Sequence, residues 1–159
     1  MGLIYKVNFN VVVFVDLDTS GVGVVMRNDK GEVMASLAAR GPPVRDSEEA
    51  EVLACQRTLE FAVKVGFSEL ILEGDNLTVM KSLISLKPNR SRLGHIYEEI
   101  QCTSAGLRSF AVNFVKHSAN TVAHALAKHA RLVDDELVWL EDCPQLTLEA
   151  LYFDSLGLS

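Results

Sequence analysis

Nothing in the 159 residues approaches the run of roughly 20 apolar residues that a membrane-spanning helix requires. The opening MGLIYKVNFN interleaves polar and apolar residues, so neither a span nor a secretory leader is expected. Cysteine is scarce and odd in number: Cys55, Cys102 and Cys143 lack the spacing of a metal-binding motif. That excludes a disulfide framework and predicts free thiols in a reducing, intracellular compartment, nuclear or cytoplasmic, with Cys55 as a small core residue. Positive charge is also in short supply, with 15 Lys and Arg against 21 Asp and Glu and a net charge of -6. A global basic field of the kind that drives tight, sequence-independent association with nucleic acid is excluded, and any such contact has to be local. Tryptophan occurs once, as Trp139, and the chain has no repeats or low-complexity segments.

What is present is enough apolar material, 48% of the residues, for one well-buried domain and too short a chain for two. The expected organisation is a single domain over 1–159, with a core over about 5–134 and a tail, 135–159, packed on it. Lys6 to Val15 is enriched in β-branched and aromatic residues, and the unbroken run Val11 to Val15 predicts a central strand buried on both faces. Turn residues at Asp18 to Gly21 and Asn28 to Gly31 then lead into strands Val22 to Arg27 and Glu32 to Ala39, giving three antiparallel strands. Pro42-Pro43 breaks the run. Helical spacing from Ser47 to Val65 stops at Gly66, a strand covers Glu69 to Leu72, and helices cover Leu77 to Leu86 and Leu93 to Ala105. A strand over Ser109 to Lys116 and a helix over Thr121 to Leu132 complete a mixed α/β order.

Four local contexts hold the residues with chemical potential: YKVNFN around Asn10, SEEAEVLA around Glu51, LILEGDN around Asp75 and HSANTVAHALAKHA around His124. Between the first two lies a small-residue strand, Gly21-Val-Gly-Val-Val-Met-Arg27. In this order and spacing they resemble the ribonuclease H family, most closely the plant branch related to the reverse-transcriptase-associated domains of retroelements. The resemblance runs from about residue 5 to 150. It implies a ribonuclease H-like α/β fold, a five-stranded mixed sheet flanked by helices, and convergence of Asn10, Glu51, Asp75 and His124 on one cleft.

The same resemblance implies Mg²⁺-dependent cleavage of the RNA strand of an RNA/DNA hybrid, a reaction that uses two cations about 3.5 to 4 Å apart held by hard oxygen ligands. The implied catalytic and metal positions are Asn10, Glu51, Asp75 and His124, and only two of them are carboxylates. Asn10 stands where the family has an Asp that touches both cations; its amide keeps the shape and removes the charge. His124 stands where a fourth carboxylate is expected, a change tolerated by relatives on the same fold, and imidazole suits Mn²⁺ better than Mg²⁺. Asp16 and Asp18 are candidate replacement acids, offset by six and eight residues. Read without the resemblance, Asn10 is an ordinary strand polar residue, Glu51 a solvated helix residue, Asp75 an N-cap and His124 a surface histidine.

Candidate contacts to nucleic acid are Asn8, Asn76 and Asn120, able to donate to phosphate or to a ribose 2′-hydroxyl, and the local cations Lys116, His117 and Lys128. Lys87, Arg90 and Arg92 between the middle helices add positive charge or form a solvated loop. Three functions remain open. One is a domain that binds RNA/DNA hybrid or duplex RNA with cleavage lost or weak; another is an active hybrid ribonuclease, an endonuclease with an altered Mg²⁺ or Mn²⁺ site; the third is a protein-interaction scaffold.

Overall fold

Turn chemistry sets the first half of the chain. In the computed structural model, which describes residues 4–85 and 92–140, β1 (Tyr5–Phe14) pairs antiparallel with β2 (Thr19–Arg27), and β2 with β3 (Val33–Gly41). The second turn closes on Asn28, whose side-chain oxygen accepts from the backbone N–H of Lys30 at 3.0 Å and of Glu32 at 2.9 Å, while Gly31 takes φ 79°. The first turn forms earlier than the sequence suggests: Val15–Leu17 is a 3-10 turn, Asp18 takes φ 48°, and Thr19 to Gly21 already belong to β2.

Helix α1 (Ser47–Lys64) starts where Asp46 accepts the N–H of Glu49 at 2.8 Å and stops before Gly66, at φ 94°. Then come β4 (Glu69–Gly74), α2 (Leu77–Ile84), α3 (Gly94–Ala105), β5 (Ser109–Phe114), a 3-10 turn over His117–Asn120, and α4 (Thr121–His129). β4 lies parallel to β1 and β5 parallel to β4.

The sheet has six strands, where five were expected, in the order β5-β4-β1-β2-β3-β6. The extra one, β6 (Glu136–Leu140), comes from the stretch read as a packed tail and pairs antiparallel with β3. Its short apolar run carries no period of its own; the open edge of β3, with backbone donors and acceptors to satisfy, makes it a strand. Residues 141–159, including Cys143, and the linker residues Lys87 and Arg90 lie outside the described residues. Among the described residues no helix is long and apolar enough to cross a membrane.

Two cores flank the sheet. Val7, Phe9, Val22, Val24 and Met26 pack under α1 with Val52, Cys55 and Leu59, whereas Val25 and Ala38 meet Val122, Ala123 and Leu126 of α4 on the other face. α4 comes very close to β2. A Cβ on Gly23 would fall well inside contact distance of the Ala123 carbonyl and the Ala127 nitrogen, and one on Gly21 would meet the Ala127 carbonyl. The alternating small residues of Gly21-Val-Gly23 are therefore the seat of α4. One expectation needs correction: the doubly buried part of β1 is Val7 to Asn10, not Val11 to Val15, and Val13 and Val15 are exposed. The pairing with β4 ends at Asn8, so beyond Asn10 the strand has a neighbour on one side only.

Candidate functional site

Strand alternation places Asn8 and Asn10 on the face of β1 opposite Val7 and Phe9, across from Val25 and Gly23 of β2 and beneath α4. Because β4 runs parallel to β1 and ends at Gly74, it delivers Asp75 beside Asn10. The 3-10 turn after β5 delivers His117, and the first turns of α4 deliver His124. Four of these side chains form a continuous hydrogen-bonded chain. Asn10 donates through Nδ2 to Asp75 Oδ2 at 3.1 Å, His124 Nδ1 lies 3.1 Å from Asn10 Oδ1, and His117 Nδ1 lies 2.8 Å from the same Asp75 oxygen.

These contacts fix the protons. The carboxylate only accepts, so Asn10 must offer it Nδ2, which leaves Oδ1 to accept from His124; both imidazoles then carry a proton on Nδ1. The two rings meet edge to face with centroids 5.1 Å apart. Burial, followed by the nearby His117 and Lys128, holds the His124 pKa below the usual histidine value and favours the neutral ring.

Glu51 approaches from the second turn of α1 and is buried, its Oε2 without a hydrogen-bond partner. Burial, and secondarily the charge of Asp75, pushes its carboxyl up to about 8, so at neutral pH it is mostly protonated. Of the four positions predicted from sequence, Asn10, Asp75 and His124 are in direct contact, and Glu51 is close enough to Asp75 for its charge to be felt.

Other sequence expectations are redistributed. Asp75 is not the N-cap of α2; Asn76 is, its side-chain oxygen accepting from Val79 N–H at 3.1 Å. This frees Asp75 for the cluster. Asn120 is 1% exposed, donates to the Phe9 carbonyl at 2.7 Å and accepts from Asn8, whose Nδ2 also donates to Glu73. Both asparagines thus tie β1 to the start of α4, and Asn120 has no access to an external ligand. The partner Glu73 was not visible as a site residue in the sequence; its position one pleat before Asp75 on a strand parallel to β1 was the available signal. Asp16 pairs with Arg131 away from the cluster, and Arg92 pairs with Asp46 and Glu49 at 2.7 Å each. Lys116 and Lys128 are exposed, the latter lining a shallow depression of about 440 Å³ with His124 and His129.

A family model described as reverse transcriptase-like matches residues 8–130. The chain belongs to that family. No curated protein matches it. Among solved structures, ribonuclease H1 of the halophilic archaeon Halobacterium salinarum superposes with a TM-score of 0.72 at 22% identity, over 80% of this chain and 97% of that one. The N-terminal ribonuclease H domain of a Mycobacterium tuberculosis protein gives 0.70 at 18% identity, over 81% and 94%. Ribonuclease H1 LC11, solved with an RNA/DNA hybrid, gives 0.66 at 15% identity, over 80% and 95%. The fold of this reverse transcriptase-like chain is ribonuclease H-like.

Proposed function

We propose that the chain is a ribonuclease H-like domain, of the retroelement type found in plants, that binds an RNA/DNA hybrid or a related RNA duplex and whose metal-dependent cleavage is lost or weak. The observation that carries this reading is the Asn10 amide, held between Asp75 and His124 by two hydrogen bonds. A two-cation centre needs anionic oxygen at that position, turned toward the metals. Here the atom facing Asp75 is an N–H donor and the Asn10 oxygen is taken by His124. Among the described residues no group of three or more His, Cys, Asp or Glu is arranged to hold a metal ion. The donor set does not fit two Mg²⁺ ions, and no catalytic step is derived through them.

The chain's own residues retain a means of binding. With a proton on Nδ1, Nε2 of His124 is an acceptor suited to a ribose 2′-hydroxyl, and Lys128, which lines the same depression, with the exposed Lys116 beside His117, adds positive charge suited to phosphate. Asn8 and Asn120 hold that surface in place. The competing reading is an active hybrid ribonuclease with an altered metal site, favoured by the unpartnered Glu51 Oε2 and the neighbouring Asp75. Fluorescence anisotropy of a labelled hybrid, measured in EDTA and in Mg²⁺, separates the two. Binding that persists in EDTA supports the proposal, whereas binding that appears only with Mg²⁺ or Mn²⁺ supports the alternative.

A further inference from the structure

Next to the cluster, a groove of about 750 Å³ runs along the uncovered end of β1, bordered on the cluster side by Asn8, Glu73 and Ala119 and at its far end by Lys6, Arg27 and Lys30. Lys6, Asn8 and Asn10 alternate onto one face of β1, so the groove and the cluster lie on the same face of the sheet. Arg27 sits directly across from Lys6 in the β1–β2 register. Lys30 stands on the β2–β3 turn, which Asn28 locks by accepting from the backbone N–H of Lys30 and Glu32.

The charge of this groove runs against that of the chain. Its lining carries three cations, Lys6, Arg27 and Lys30, against two acids, Asp29 and Glu73, on a protein of net charge -6. One of those acids, Glu73, already accepts the Asn8 amide at 3.2 Å. Four residues of strand at roughly 3.3 Å each put Lys6 about 13 Å from Asn10.

We propose that this groove is a second nucleic-acid subsite, in which Lys6 and Lys30, with Arg27, hold the phosphodiester backbone about 13 Å away from the Asn10 cluster. The inference rests on the nucleic-acid reading above and gives the strand a path across the domain. The test is anisotropy with a labelled RNA/DNA hybrid over a salt series, comparing the intact chain with Lys6→Gln/Lys30→Gln and with a control, Lys64→Gln/Lys81→Gln, whose exposed lysines lie on α1 and α2. Loss of two phosphate contacts should weaken binding roughly tenfold and reduce the slope of log affinity against log salt by about 2, with the control unchanged. If the chain binds hybrid and the groove variant matches it in affinity and slope, the subsite is refuted while the nucleic-acid reading stands. If no hybrid binds, amide chemical-shift mapping with a single-stranded oligonucleotide decides. Shifts at Lys6, Arg27 and Lys30 would uphold the groove and remove only the hybrid reading; their absence would overturn both.

Discussion

Replacing Asn10 by Asp tests whether the amide serves as an internal stand-in for charge. Nδ2 of Asn10 donates to Asp75 Oδ2 at 3.1 Å, so the substitution exchanges a donor for a second carboxylate oxygen facing the first. Two unit charges at that separation repel by about 5 kcal/mol at an effective dielectric of about 20, well above the roughly 1 kcal/mol of one neutral hydrogen bond. The pair can escape by keeping a proton, which at pH 7 caps the cost at about 4 kcal/mol, three pKa units above the ordinary carboxyl value. For a domain of this size about 2–4 °C accompanies each kcal/mol, so in EDTA the variant should melt on the order of 10 °C lower. A cation at a hundred times its dissociation constant returns about 2.7 kcal/mol. Thermal unfolding monitored by circular dichroism, in EDTA, Mg²⁺ and Mn²⁺, should therefore show a strongly metal-dependent midpoint for Asn10→Asp and an unchanged midpoint for the parent chain. A parent midpoint that climbs with Mg²⁺ as much as the variant's would refute the reasoning, as would a variant that loses nothing in EDTA.

Three further outcomes follow from the packing and the buried acid. Glu51 has a folded-state pKa of about 8 against an ordinary 4.5, so the proton is held more tightly in the folded state. Its contribution to stability is complete below about pH 4.5 and is lost as pH rises to about 8. Glu51→Gln should flatten that decline and leave the variant more stable than the parent by up to a few kcal/mol at pH 8, as read by urea unfolding at several pH values. Asn120→Ala leaves the buried Phe9 carbonyl and the Asn8 amide short of partners and should cost about 2–3 kcal/mol by the same method. Gly23→Ala drives a methyl into the backbone of α4 and should cost about 3 kcal/mol or prevent folding, whereas Gly31→Ala, strained in φ but with nothing near its Cβ, should cost only about 1 kcal/mol.

Legibility in the sequence followed the range of the interactions involved. Helix α1 was readable because its start, its apolar spacing and its terminating Gly66 are local signals. The shift of the doubly buried part of β1 from Val11–Val15 to Val7–Asn10, by contrast, depends on where β4 stops pairing, which no window of β1 records. β6 was missed for a related reason: five residues, Glu136 to Leu140, owe their extension to the edge of β3. At the candidate site, family resemblance placed Asn10, Asp75 and His124 in one cleft, and their side chains do form one hydrogen-bonded chain, since Asn10 lies within β1, His124 within α4 and Asp75 directly after β4. It did not convey that the amide of Asn10 links the other two, nor that Asn8 and Asn120 face inward, because side-chain direction depends on the register between β1, β4 and the turn before α4. Read without the resemblance, Glu51 is a solvated helix residue, yet the packing of α1 on the sheet buries it.

Central to this account is that Asn10 closes the cluster on itself and leaves the domain able to bind but poorly able to cut. Single-turnover hydrolysis of an end-labelled RNA/DNA hybrid, with protein in excess and Mg²⁺ and Mn²⁺ supplied in parallel, addresses that claim most directly when the parent chain and Asn10→Asp are run side by side. The account predicts hybrid bound by both proteins, with cleavage by the variant faster by at least about a hundredfold, in line with the magnitude expected for a transition-state charge contact. Cleavage by the parent chain at a rate comparable to that of Asn10→Asp would contradict it.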